Sequence, residues 1–104
     1  GMAEKGEEPM ESAKRELLEE TGYGNGVWSQ YMVLSANPST HSNLNYCFLA
    51  VGVEKIQEQE LEDSEDITVH VLTTGEVKEL LGNDQIRQSL MAAPLWRYFY
   101  ENKL

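Results

Sequence analysis

Along this chain the spacing of apolar residues changes from a helical period to an alternating one and back again. In the first periodic stretch Met10, Ala13 and Leu17 form one stripe. Glu16, Glu19 and Glu20 stand at i, i+3 and i+4 and share a neighbouring face, with Ser12 behind them. Met10–Thr21 holds no glycine or further proline and is rich in good helix formers. Pro9 suits the first helical position, because the N–H it lacks would be unpaired there. Gly22 can adopt the left-handed conformation that closes a helix. The pattern therefore predicts a helix over Pro9–Thr21, led in by a polar loop from Met2 to Glu8.

Gly22–Gly26 carries three glycines with Asn25 and reads as a turn. Val27–Ser35 has the aromatic and β-branched content of a strand, and Asn37–Ser42 is a loop by composition. From Asn43 or Leu44 to Val53 both alternating faces are apolar, which predicts a central strand covered on both sides. Glu54–Asp66 is acidic and reads as a loop, and Ile67–Leu72 alternates like a short strand. Thr73 or Thr74 caps a helix over Gly75–Leu81 that Gly82 stops. Ser89–Asn102 predicts a last helix, either kinked or restarted at Pro94. Its aromatic stripe of Trp96, Phe99 and Tyr100 is expected to pack in the core. Helix, strands, helix and helix fit an α/β sandwich.

Composition narrows the class. A chain of 104 residues with 40% apolar content suits one globular domain with a core. Eighteen acidic and eight basic side chains give a net charge of −10. Such a surface repels nucleic-acid backbones and anionic membranes, so neither is expected as a partner. Cys47 is the single cysteine, so no intramolecular disulfide can form. It lies in an apolar run, where a buried inert thiol is expected rather than a nucleophile. No apolar run approaches a membrane span and no signal peptide is visible, which predicts a reducing, cytoplasmic setting.

The acidic helix face carries the candidate chemistry. Like charges at helical spacing cost a few tenths of a kcal/mol per pair, and burial raises carboxylate pKa values. A hard divalent cation relieves both problems, and Mg²⁺ commonly takes a few carboxylates together with substrate phosphates. A bare acidic run is most often a solvated face, so the spacing has to decide. Here it is Gly1, five residues, Glu7, seven residues, Arg15-Glu16-Leu17, one residue, Glu19-Glu20, one residue, Gly22-Tyr23. This resembles the Nudix box, the signature of the MutT-like Nudix hydrolases, with every fixed position filled, including the apolar ones at Leu17 and Tyr23. Those enzymes cleave a nucleoside diphosphate linked to another group, using Mg²⁺ or Mn²⁺. Pro38, fifteen residues after Tyr23, resembles a marker of the ADP-ribose pyrophosphatase branch. Similar to that branch, too, are the acidic loop at Glu62–Asp66 leading into Ile67–Val71 and the closing pair of helices.

The resemblance implies an α/β (α+β) fold, the Nudix α/β/α sandwich with a mixed sheet, as one domain over residues 1–104 with the box at 1–23. In the family, strands and a Gly-Gly turn precede the box and supply much of the nucleobase contact. This chain begins almost inside the box, so an N-terminally truncated version is expected. Its exposed sheet edge predicts a homodimer or higher oligomer, with elements exchanged between copies. The resemblance makes Glu16 and Glu20 metal ligands and Glu19 a catalytic ligand acting directly or through water. Arg15 orients them, and Glu7 supports them from behind. A further carboxylate from the acidic loop, Glu65 or Asp63, acts as base or extra ligand. Asp63 is one methylene shorter than the glutamate usual there. Pro38 is expected to touch a small nucleotide substrate, while His41 and His70 receive no role. The implied reaction gives AMP and a sugar phosphate from ADP-ribose or another nucleotide sugar. The alternatives are a MutT-type nucleoside triphosphate pyrophosphohydrolase, against which Pro38 weighs, and a Nudix-like module that binds nucleotide or protein without catalysis.

Overall fold

A computed structural model describes residues 6–35 and 44–103. The elements run α1 (Pro9–Thr21), β1 (Tyr23–Gly24), β2 (Val27–Ser35), β3 (Leu44–Val51), β4 (Glu54–Lys55), α2 (Thr74–Gly82) and α3 (Ser89–Asn102). Among the described residues, three helices and two small antiparallel sheets make the fold mixed α and β. One sheet pairs β1 with β4 and the other pairs β2 with β3. Contacts divide the chain into two compact units. The first holds residues up to Tyr31 with Phe48–Val69, and the second holds Met32–Cys47 with His70 onward.

In the first unit, α1 has the predicted bounds, with proline in its first turn. The carbonyls around its C-terminal end, the last four of which lack intrahelical donors, are met by side chains and by later residues. Gly22 turns left-handed at φ 80° and donates its N–H to the Leu18 carbonyl at 2.8 Å. The Thr21 hydroxyl donates to the Leu17 carbonyl at 2.6 Å and accepts from the Tyr23 N–H at 3.1 Å. Other bonds come from a segment far along the chain. The Glu60 N–H donates to the Glu19 carbonyl at 2.7 Å, and Ile56 and Gln57 donate to the Gly22 carbonyl at 2.9 and 3.3 Å. Before them, β4 runs antiparallel to β1 with Tyr23 opposite Lys55 and Gly24 opposite Glu54. A Cβ on Gly22 would run into the Gln57 carbonyl oxygen, so glycine is required there both for the turn and for the close approach.

In the second unit Thr73 is the cap of α2. Its hydroxyl accepts from the Glu76 N–H at 3.1 Å, and the Glu76 carboxylate accepts from the Thr73 N–H at 3.0 Å, a reciprocal capping box. The bond from the Thr73 backbone holds the Glu76 carboxyl below the usual carboxylate range. Gly82 is the last residue of α2 rather than the residue past it, and Asn83 closes the helix. One continuous α3 runs through Pro94, so the helix does not restart there. Leu81 on α2 and Phe99 on α3, 6% and 5% exposed, are the buried apolar side chains among the described residues. The Tyr98 ring meets Phe99 edge-on at 6.1 Å.

Several expectations fail here. Ile67–Leu72 has no strand ladder. Its β-branched residues make it extended in propensity, but a strand needs a partner, and among the described residues none pairs with it. β3 is not covered on both faces: it ends at Val51, is hydrogen-bonded to β2 alone among the described strands, and leaves Leu44 and Tyr46 exposed. Of the aromatic stripe on α3 only Phe99 is core, since Trp96 and Tyr100 are 50% and 85% exposed. The spacing puts all three on one helix face, but among the described residues that face is buried only at Phe99. Cys47 is half-buried, and that burial pushes its thiol up, away from the reactive thiolate. The predicted loop Asn37–Ser42 lies outside the described residues.

Candidate active site

The charged residues of α1 are ordered around one guanidinium. Arg15 grips Glu7 with two donors, Nε to Oε2 at 3.1 Å and Nη2 to Oε1 at 3.2 Å. Its remaining edge donates from Nη1 to Glu19 Oε2 at 3.2 Å, and Nη2 lies 3.8 Å from Glu16 Oε1. The side chains of Arg15 and Glu7 are only 29% and 20% exposed. A planar fork bound at both ends is fixed in orientation as well as charge. Glu7, which precedes the helix, thus holds the arginine that holds Glu19.

Glu20 is in a different situation. Among the described residues no cation pairs with its carboxylate. Burial raises its pKa, and the carboxylates of Glu16, Glu65 and Glu19 add to the rise by repulsion. Glu65 therefore acts on Glu20 although 45 residues of chain separate them. The path between them is visible. The side-chain amide of Gln59 donates to the Glu20 carbonyl at 2.6 Å and to the Ile67 carbonyl at 3.0 Å. Glu65 itself sits in a tight turn. Its N–H donates to the Glu62 carbonyl at 2.9 Å and its Oε1 accepts from the Glu62 N–H at 2.8 Å. Asp63 is exposed at the tip of that turn. Of the two loop carboxylates, Glu65 is the one whose charge is felt at the box helix.

Pro38 and the first glycine of the box spacing, Gly1, lie outside the described residues. Gln59 had no signal in the sequence pattern, being one polar residue in a run of Gln and Glu. A groove of about 550 Å³ also opens along α1, walled by Lys14, Arg15, Leu18, Trp28 and Ile56. At 3.6 residues per turn Lys14 and Leu18 stand roughly 200° round the helix from Glu16 and Glu20, so the groove flanks the helix on another side.

The donor set suits a hard dication. The carboxylate oxygens of Glu16, Glu19, Glu20 and Glu65 are the ligand type that Mg²⁺ and Mn²⁺ prefer. The repulsion concentrated on Glu20 is what a cation would remove. Among the described residues no three acidic, histidine or cysteine side chains converge into a ready cage. Mg²⁺ does not require one, because it commonly takes one or two carboxylates and completes its shell with water and substrate phosphates.

With an acidic helix locked by an arginine fork and closed by glycine, the chain is matched over residues 1–93 by the family model for the NUDIX domain, and it belongs to that family. It is similar to the ADP-ribose pyrophosphatase of Bacillus subtilis (strain 168), at 31% identity over 87 residues. The matched stretch covers 83% of this chain and 47% of that protein, so the chain spans about half the length of the curated relative it matches. No helix among the described residues is long and apolar enough to cross a membrane.

Proposed function

We propose that this chain is a divalent-metal-dependent Nudix pyrophosphohydrolase acting on nucleoside diphosphates linked to a further group, with ADP-ribose or another nucleotide sugar as substrate and AMP and a sugar phosphate as products. The observation that carries the reading is the Arg15 fork, bound to Glu7 and Glu19, on the helix whose one face carries Glu16, Glu19 and Glu20. The substrate class rests on family membership, on the activity for which the Bacillus relative is named and on Pro38 at its offset from the box.

In this reading Glu16 and Glu20 hold Mg²⁺ or Mn²⁺, with Glu19 contributing directly or through water. The bound cation supplies neutralisation of the pyrophosphate oxygens and a more acidic water. Arg15 keeps Glu19 in place and Glu7 keeps Arg15 in place. Glu65 is favoured over Asp63 as the carboxylate that takes the proton from the attacking water, since Glu65 faces the box helix electrostatically and Asp63 sits at the turn tip. Each deprotonated carboxylate also repels the anionic substrate, so affinity depends on the cation being present. The family match runs through both compact units, which supports one domain over residues 1–104. Exposed apolar side chains along β2 and β3, with Val27 75%, Val51 58% and Leu44 50% exposed, support a homodimer. A monomer by light scattering would contradict that part. The lone cysteine supports a reducing cytoplasmic setting.

The test is a substrate panel with Mg²⁺ or Mn²⁺: ADP-ribose, other nucleoside diphosphate sugars and nucleoside triphosphates. Turnover of the diphosphate sugars is expected. Turnover of triphosphates alone would move the assignment to the MutT type, and no turnover by folded protein would leave a binding module.

A further inference from the structure

We propose that Gln59 is a positioning residue that clamps the Glu62–Ile67 loop against the C-terminal end of α1, and so brings Glu65 to the carboxylates of the box. This rests on the hydrolase reading above for its consequence, but not for its geometry. The Gln59 amide nitrogen has two hydrogens. One is directed at the Glu20 carbonyl at 2.6 Å and the other at the Ile67 carbonyl at 3.0 Å. Two acceptors at once fix which end of the amide faces inward, because its oxygen cannot accept from a carbonyl. The first of these acceptors belongs to a residue proposed to bind the cation, and the second lies two residues beyond Glu65. A single side chain thus spans from the box helix to the loop.

The backbone around Gln59 explains why it can do this. The next residue, Glu60, donates its N–H to the Glu19 carbonyl at 2.7 Å, and Ile56 and Gln57 are bonded to Gly22. Residues 56–60 are therefore laid along the helix end by main-chain bonds that need no particular side chain. Beyond Glu60, the bonds between Glu62 and Glu65 are local to the loop, and they shape the turn without placing it. The contact that places it is the Gln59 amide on Ile67. The clamp also closes one of the orphan carbonyls of α1, so helix end and loop position depend on the same two hydrogens.

The variant that isolates the clamp is Gln59→Met, which keeps length and volume and loses both donors. Gln59→Ala is the second variant, and thermal melting verifies that each is folded, as the intact main-chain bonds of residues 56–60 lead us to expect. The readout is line broadening of the amides of residues 62–67 by Mn²⁺ in ¹⁵N-labelled protein, measured beside ADP-ribose kinetics. In the wild type those amides are broadened. In both variants the broadening falls, while amides of α1 remain broadened, and kcat drops about 10- to 100-fold with KM little changed. Loop broadening that is absent in the wild type while the α1 amides are broadened, or equal in wild type and variants, overturns the clamp whatever the activity. An unchanged kcat with a displaced loop overturns the positioning role. If the wild type shows no turnover and the broadening still depends on Gln59, the clamp stands and only the hydrolase reading fails.

Discussion

Replacing Gly22 with alanine tests the junction on which the box helix depends. Two separable costs arise. Gly22 sits at φ 80°, and an L-residue in the left-handed region costs about 1–2 kcal/mol. The added Cβ also runs into the Gln57 carbonyl oxygen, so the segment must move. That movement endangers the bonds from Ile56 and Gln57 to the Gly22 carbonyl, at 2.9 and 3.3 Å, each contributing roughly 1 kcal/mol net. The sum is about 3–4 kcal/mol. Gly52 provides the control. It has φ 78°, and a methyl group added there would meet no atom within 4 Å. Gly52→Ala therefore carries the backbone cost alone, about 1–2 kcal/mol. At roughly 4–8 °C per kcal/mol for a domain of this size, calorimetry should show Gly22→Ala losing about two to three times the Tm that Gly52→Ala loses. Equal losses would refute the claim that residues 56–57 press against the helix end.

Two further outcomes follow from the charges. Burial and neighbouring carboxylates raise the Glu20 pKa in the folded chain, so the folded state binds a proton more readily than the unfolded one. The stability this group contributes is present below its ordinary value of 4.5 and is lost as pH rises through the raised folded value. Metal-free Glu20→Gln should therefore melt above wild type at neutral pH, with the gap closing in acid; a gap independent of pH would contradict the cause assigned to the shift. Arg15→Lys keeps the charge but loses the fork on Glu7 and the bond to Glu19. Denaturant unfolding should show it less stable by about 1–2 kcal/mol, and an unchanged midpoint would mean the fork is not formed in solution.

How far the sequence could be read depended on whether a feature is local. The bounds of α1 were legible because Pro9, the helix formers and Gly22 all act within a few residues of one another. The same holds for the threonine cap of α2, which the sequence leaves between Thr73 and Thr74, and for Ser89–Asn102. Strand character at Ile67–Leu72 was misread because pairing is a property of two segments, and alternation in one cannot supply the other. The two-residue ladder of β1 with β4 was invisible for the same reason: Tyr23-Gly24 and Glu54-Lys55 have no strand signature until they meet. At the site, spacing pointed to the carboxylates of α1 and to Arg15, and left Glu65 and Asp63 undivided. The long-range contact through Gln59 could not be read there, because it comes from two carbonyls at Glu20 and Ile67 rather than from its own neighbours in the chain.

The central claim is that the carboxylates of α1 form a hydrolytic metal site, and release of AMP from ADP-ribose tests it most directly. The assay compares wild type with Mg²⁺, wild type with excess chelator, and Glu20→Gln with Mg²⁺. Metal-dependent AMP release that falls by about 100-fold or more in Glu20→Gln is expected, since even residues that only support metal ligands cost 10- to 100-fold. Turnover that survives both the chelator and the substitution would contradict it.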